Sequence, residues 1–269
     1  MTDDRRVHPI TVFGIAAALV VALAFALLVG ERVTFRPFTI PSAADEPTLQ
    51  IGDYILVSTW SYGCGQHTLP GCPTAFGDRP LFHPPGRGDL VVFKLPRDGR
   101  TDFVKRIIGL PGDHVQVRAG VIYVNDHALK RQRMADAMGD LDGNGPPQLA
   151  ERYLETNTEG RSYQIQMSPT PTPADDTGVY VVPPHCFFMV GDNRDNSADS
   201  RFDPGVTSDS PPQTCPWDAK LSVSGGEGVG FVPEGNLIGK VIRVVFSWNR
   251  SGPGGKPELR RGRFNIPVN

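Results

Sequence analysis

The chain has 269 residues, of which 39% are hydrophobic and 21% charged, and its formal net charge is -2. That length holds one large domain or two small ones with a sizeable core, and the near-neutral balance leaves no global electrostatic case for a nucleic-acid partner. The 30 Gly and 26 Pro are many for a helical protein and point to a loop-rich, strand-dominated one. Histidines 8, 67, 83, 114, 127 and 185 sit at no metal-ligand spacing, and Cys64, Cys72, Cys186 and Cys215 form no Cys-x2-Cys pattern. No metal and no cofactor are expected.

Residues 1–9 are polar, and residues 10–30 then run 21 positions without a charge, about the 20 needed to cross a bilayer. A cleaved signal peptide has a shorter apolar region, about 7–15 residues, so a membrane-spanning helix is expected at 10–30. Arg5 and Arg6 before it are balanced by Arg32 and Arg36 after it, and the positive-inside rule barely orients the span. The mass of chain that follows argues for residues 1–9 in the cytoplasm and 31–269 on the extracytoplasmic side.

From residue 50 onward the pattern is β. Ile51-Gly-Asp-Tyr-Ile-Leu-Val57 is a short apolar run behind a Gly-Asp turn signal. Residues 61–86 read as loop. Cys64 and Cys72 within it are either free thiols or, in an oxidising compartment, a disulfide, and the second reading is favoured; the use of Cys186 and Cys215 is left open. Arg87-Gly-Asp-Leu-Val-Val-Phe-Lys-Leu-Pro96 is a strand ended by its proline.

The next strand, within 102–113, runs into a Pro-Gly turn. Lys105 and Arg106 interrupt its otherwise apolar course, and Lys105 has two readings. Such a lysine usually snorkels to water from a sheet edge; a buried one has a lowered pKa and serves as a base. Residues 114–126 alternate and read as a hairpin about Ala119-Gly120. A short helix is expected near 128–138, with strands at 163–166 and 178–182. Cys186-Phe-Phe-Met-Val190 is a core-type strand that delivers a polar run of turn formers, 191–201. That run is either a solvated loop or a buttress at a site. Residues 203–228 lack periodicity and read as a surface insertion; 231–248 returns to strand, and the basic tail carries Lys256, Arg260, Arg261 and Arg263.

Several of these stretches together resemble the type I signal peptidases of bacteria, which are membrane-anchored Ser/Lys endopeptidases. They are Pro41-Ser-Ala-Ala-Asp-Glu-Pro-Thr-Leu49 with Gly52-Asp53, Arg87-Gly-Asp-Leu-Val-Val-Phe93, and Phe103-Val-Lys-Arg-Ile-Ile-Gly-Leu-Pro-Gly-Asp113. The most specific is Gly191-Asp-Asn-Arg-Asp-Asn-Ser-Ala-Asp-Ser-Arg201, followed by Phe231-Val-Pro233. The resemblance implies a mostly β fold: one N-terminal transmembrane helix, then an antiparallel β-sheet domain with variable insertions near 127–180 and 203–228. It implies that Lys105 is a buried general base, that Ser197 orients it, and that Asp199 and Arg201 form the ion pair holding the loop, with Asp192 in support. It makes Ser42 the side-chain donor of an oxyanion hole, and it places substrate along Pro41, Ala43, Asp45 and Leu49. The logic is a nucleophile, a base and a group that orients the base.

The departure is at position 44, where the family's nucleophilic serine is Ala44, so the acyl-enzyme route has no starting atom. Asp45 adds a carboxylate that favours the ammonium form of Lys105. Two functions are therefore carried forward. One is a signal peptidase I endopeptidase of the inner membrane that removes signal peptides from exported preproteins, this copy lacking its nucleophile. The alternative is a membrane-anchored pseudo-protease that binds exported chains without cleaving them. The expected partners in both are signal peptides and the lipid bilayer.

Overall fold

The computed structural model describes residues 34–68, 79, 81–141, 146–207, 210–211, 215–221, 223, 227–249 and 257–268. The expected membrane span at 10–30 lies outside them, and no helix among the described residues is long and apolar enough to cross a membrane. The fold is mostly β, and every pairing between the named strands is antiparallel.

Strands β1 (Phe35–Thr39), β2 (Asp53–Ser58), β3 (Leu90–Lys94) and β4 (Asp102–Gly109) begin the largest sheet. β2 alternates buried and half-buried residues, with one face on the core; β3 is buried on both faces until Lys94. β5 (His114–Arg118) and β6 (Val121–Val124) form the expected hairpin, extended by β7 (His127–Ala128). Its turn residues Ala119 and Gly120 have φ of 46° and 73°, the left-handed pair that matches the twist of two-residue hairpins.

The helix expected near 128–138 does not form. That stretch is β8 (Lys130–Arg133) and β9 (Ala137–Gly139), both pairing with β10 (Gln148–Thr156), which in turn pairs with β11 (Ser162–Met167). The reason lies in the partner: cross-strand pairs such as Arg133 with Tyr153 and Arg131 with Glu155 outweigh a weak local helix preference.

β12 (Tyr180–Val181) adds to β5. β13 (Cys186–Val190), wholly buried, lies beside β4 and carries β14 (Val232–Pro233) on its other side. β15 (Leu237–Asn249) runs between β2 and β3, and β16 (Glu258–Leu259) and β17 (Ile266–Pro267) pair with it. The order of the large sheet is β1-β2-β15-β3-β4-β13-β14.

Three apolar clusters form the core. One packs β2, β3 and β15 through Leu49, Ile55, Val92 and Val244. A second packs β3, β4 and β13 through Val91, Phe93, Ile107 and Met189. The third joins the β5–β6 hairpin to β11 and β13 through Val117, Ile122, Ile165 and Phe188. The stretch 203–228 is more than a surface insertion. Cys215 is bonded to Cys186 of β13, Trp217 stacks 5.8 Å from Tyr180, and Val223 is buried. Cys64 is also disulfide-bonded; Cys72, its expected partner, lies outside the described residues.

Candidate active site

β1 leads into the segment 40–53, a loop closed at its neck. Ile40 donates its N–H to Asp53 O at 2.9 Å, and Gly52 donates to Ile40 O at 2.9 Å. Gly52 has φ of +91°, and a Cβ there would stand 2.1 Å from the Trp248 carbonyl, so only glycine fits where β15 crosses the neck.

The loop 191–201 grips the other end. Asn193 donates its backbone N–H to Ala44 O at 3.2 Å and its side-chain amide to Ala43 O at 3.0 Å. Gly191 brings the two segments together: a Cβ there would lie 2.2 Å from Ser197 Oγ and 2.4 Å from Ala44 O. Ser197 thus faces position 44 across the missing side chain.

The loop is held from beneath by ion pairs that satisfy buried charge. Arg201 donates from Nε and Nη2 to both Asp199 oxygens at 2.9 Å, while Gly191 donates its N–H to Asp199 at 3.1 Å. Burial would raise the Asp199 pKa, but the guanidinium and these donors hold it below the usual carboxylate range. Arg106, next to Lys105 on β4, pairs both oxygens of Asp192 at 2.7 Å and lies 4.1 Å from the Tyr163 ring centroid. Arg194 grips Glu155 of β10 in the same two-pronged way, and Arg131 adds a 2.9 Å bond. Burial pushes the Glu155 pKa up, yet the two arginines bring it to about 2.

Lys105 is buried, not snorkelling. Its Nζ donates to Val104 O at 2.8 Å and approaches Asp45 Oδ2 at 3.4 Å. Its hydrogen bonds do not go to Ser197, whose Oγ is buried with no partner. The expected orientation of Lys105 by Ser197 gives way because a carboxylate attracts an ammonium more strongly than a neutral hydroxyl does. Asp45 is strained by this placement. Burial raises its pKa from 3.8 to about 6 against the opposing pull of Lys105, with Asp192 adding to the rise, and its Oδ1 finds no donor.

A groove of about 810 Å³ opens over this group. Its walls are β1 with the residues that follow it, through Phe38, Ile40, Pro41 and Ser42, and β4, through Phe103, Val104 and Lys105. Ala44, Asp45, Asn196 and Ala198 complete it. Ser42 and Pro41 are exposed to it. Ala43 and Leu49, expected as substrate contacts, are buried and line none of it: Ala43 offers its carbonyl to Asn193, and Leu49 belongs to the core beneath.

Sequence reasoning gave no role to Asn193, Gly191, Arg106, Arg194 or Glu155, and missed β1, the strand that leads into Pro41 and Ser42. Arg106 was legible in principle as a second cation in an apolar strand, a placement that demands a buried acidic partner. Among the described residues no cluster of His, Cys, Asp and Glu is arranged to hold a metal ion.

Comparison with known proteins gives a consistent result. The family described as "Signal peptidase, peptidase S26" matches residues 12–248. Relatives named "Signal peptidase I" include one from Rickettsia typhi, 33% identical over 82% of this chain and 75% of its own length. One from Pseudomonas fluorescens is 32% identical over 83% and 69%, and one from Rickettsia prowazekii 35% identical over 86% and 78%. A family match over residues 12–248, with relatives 32–35% identical over 82–86% of the chain, leads to one conclusion: the chain belongs to the signal peptidase S26 family.

Proposed function

We propose that the chain acts on the signal peptides of exported preproteins, binding them extended in the groove between β1 and β4. The observation that carries this reading is the buried Lys105 in the groove wall beside position 44, with the 191–201 loop gripping Ala43 and Ala44. Among the described residues β1 pairs with β2 alone, and on β4 the pairing with β13 covers only 106–109. Each wall therefore leaves strand edge free of a neighbouring strand, along which an extended peptide can pair, although the Val104 carbonyl there already accepts from Lys105 Nζ. Residues 10–30 would anchor the chain in the inner membrane, with 31–269 on the extracytoplasmic side.

The chemistry for which the site is built is peptide hydrolysis by a Ser/Lys pair. A neutral Lys105 amine takes the proton of a hydroxyl at position 44, the oxygen attacks the scissile carbonyl, and Ser42 with the N–H of residue 44 stabilises the oxyanion. Ser197 is the group that would orient the amine. Ala44 removes the attacking atom, so this route is closed in the chain as it stands. A second reading is favoured by one observation, the Lys105–Asp45 contact at 3.4 Å. A carboxylate there stabilises the ammonium rather than the amine, which suits a groove that binds exported chains without cutting them.

Both readings require occupancy of the groove. A photo-crosslinker at Phe38 or Thr101, one on each wall, should capture a preprotein through residues flanking its cleavage region. Replacing the small residues of that region by bulky ones should reduce capture. Capture that is insensitive to those residues, or confined to sites remote from 40–57, would defeat the assignment.

A further inference from the structure

The segment 257–268 lies beyond the residues the family description matches, yet it reaches the site. It is fastened to β15 by β16 at Trp248 and Asn249 and by β17 at Arg243 and Val244. Asn265 and Val268 add backbone bonds to Val245 and Ile242 at 3.0 Å. Between the two short strands, Arg263 turns inward. Its Nε donates to Asp53 Oδ1 at 2.9 Å, and its Nη2 donates both to Asp53 Oδ2 and, at 2.9 Å, to the Thr48 carbonyl.

Both targets belong to the 40–53 loop. Asp53 is fully buried and closes the neck, its carbonyl accepting the Ile40 N–H at 2.9 Å and its carboxylate the Gln50 N–H at 2.8 Å. Thr48 lies on the far limb, and its hydroxyl donates to Asp192, the partner of Arg106 beside Lys105. Arg260 supports the same limb, donating to Ile51 O at 2.8 Å while holding Ser247. A planar guanidinium is suited to such a fork, since it engages both carboxylate oxygens and a third acceptor at once.

We infer that Arg263 is a positioning residue for the site: it locks the neck and far limb of the 40–53 loop, and so sets where residues 42–45 stand relative to Lys105. A structural role confined to the turn between β16 and β17 would hold the tail on β15 without moving the loop. The inference concerns the site to which signal peptides are assigned above, but its readouts use no peptide, so it stands or falls apart from that assignment.

The test compares the full-length chain in detergent micelles with Arg263→Ala, Arg263→Lys and, as control, Arg261→Ala, which alters an exposed neighbour. Amide hydrogen exchange at 42–49 should accelerate by at least about tenfold in both Arg263 variants, with the β10–β11 hairpin unchanged. The lysine variant fails too, because an ammonium cannot span the fork. In an Ala44→Cys background, the pH profile of thiol alkylation should shift on either Arg263 change, since the distance from that thiol to Lys105 and Asp45 changes. The control should leave both readouts alone. No change at 42–49, or a loss of protection spread equally over all three sheets in either variant, overturns the inference.

Discussion

Replacing Asp45 by Asn removes a buried carboxyl that ionises against its surroundings. In the fold it titrates at about 6 and in an unfolded chain at 3.8. The native state therefore holds this proton more tightly than the unfolded state. The resulting stability is fully present below pH 3.8 and is lost as pH rises through about 6. At about 1.4 kcal/mol per pH unit, the loss comes to roughly 3 kcal/mol. The variant has no such loss. Urea unfolding followed by tryptophan fluorescence, on the full chain in micelles at pH steps from 4 to 7, measures it. The difference in unfolding free energy, variant minus parent, should rise by roughly 2–2.5 kcal/mol across that window, because the other carboxylates cancel. Its offset includes the lost contact with Lys105, so the slope is the observable. A difference that stays flat, or falls as pH rises, would refute the placement of a desolvated carboxylate beside Lys105.

Three further outcomes follow from the same structure. Gly191→Ala forces a Cβ against Ser197 Oγ and the Ala44 carbonyl and should cost about 1–3 kcal/mol, with exchange increased first at 191–201 and 42–45. Glu155→Gln leaves Arg131 and Arg194 without their shared buried carboxylate and should cost about 3–5 kcal/mol at neutral pH. Because Glu155 is held at about 2 rather than 4.5, its contribution is present above pH 4.5 and fades as pH falls toward 2, so parent and variant should converge in acid unfolding curves. Replacing Cys186 and Cys215 by Ser opens a bridge spanning 29 positions and should cost about 3–4 kcal/mol, seen as a lowered melting temperature with altered Trp217 fluorescence.

What could be read from sequence was what is local. β2, β3, β4 and β13 are short apolar runs between turn formers, and the Ala119-Gly120 hairpin is set by its turn, so periodicity and turn chemistry suffice for them. β10 was hidden because Arg152 and Glu155 break the alternation of an otherwise readable strand. Glu155 is buried only because Arg131 and Arg194 meet it, and no local window contains that fact. β1 was masked by Pro37 inside it. The site shows the same division. Lys105, Ser42, Asp199 and Arg201 were identifiable through the resemblance, and the structure brings them to one groove and the loop beneath it. That Lys105 turns to Asp45 and leaves Ser197 without a partner depends on a contact 60 positions away in the chain, where the choice between charged and neutral acceptors is decided by burial. The bond between Cys186 and Cys215 likewise depends on where the 203–228 stretch returns to β13.

The central claim is that the proposed site has a base and an oxyanion donor but no attacking atom, with the Asp45 carboxylate 3.4 Å from the Lys105 amine. The direct measurement is cleavage of a preprotein whose signal ends in Ala-x-Ala, by the chain as it stands, by Ala44→Ser, by Ala44→Ser with Asp45→Met, and by that double variant with Lys105→Ala. The account predicts no detectable cleavage by the parent, a gain of several orders of magnitude in the double variant over the parent with the single variant between them, and loss of all activity with Lys105→Ala. Robust cleavage by the parent that survives Lys105→Ala would contradict it.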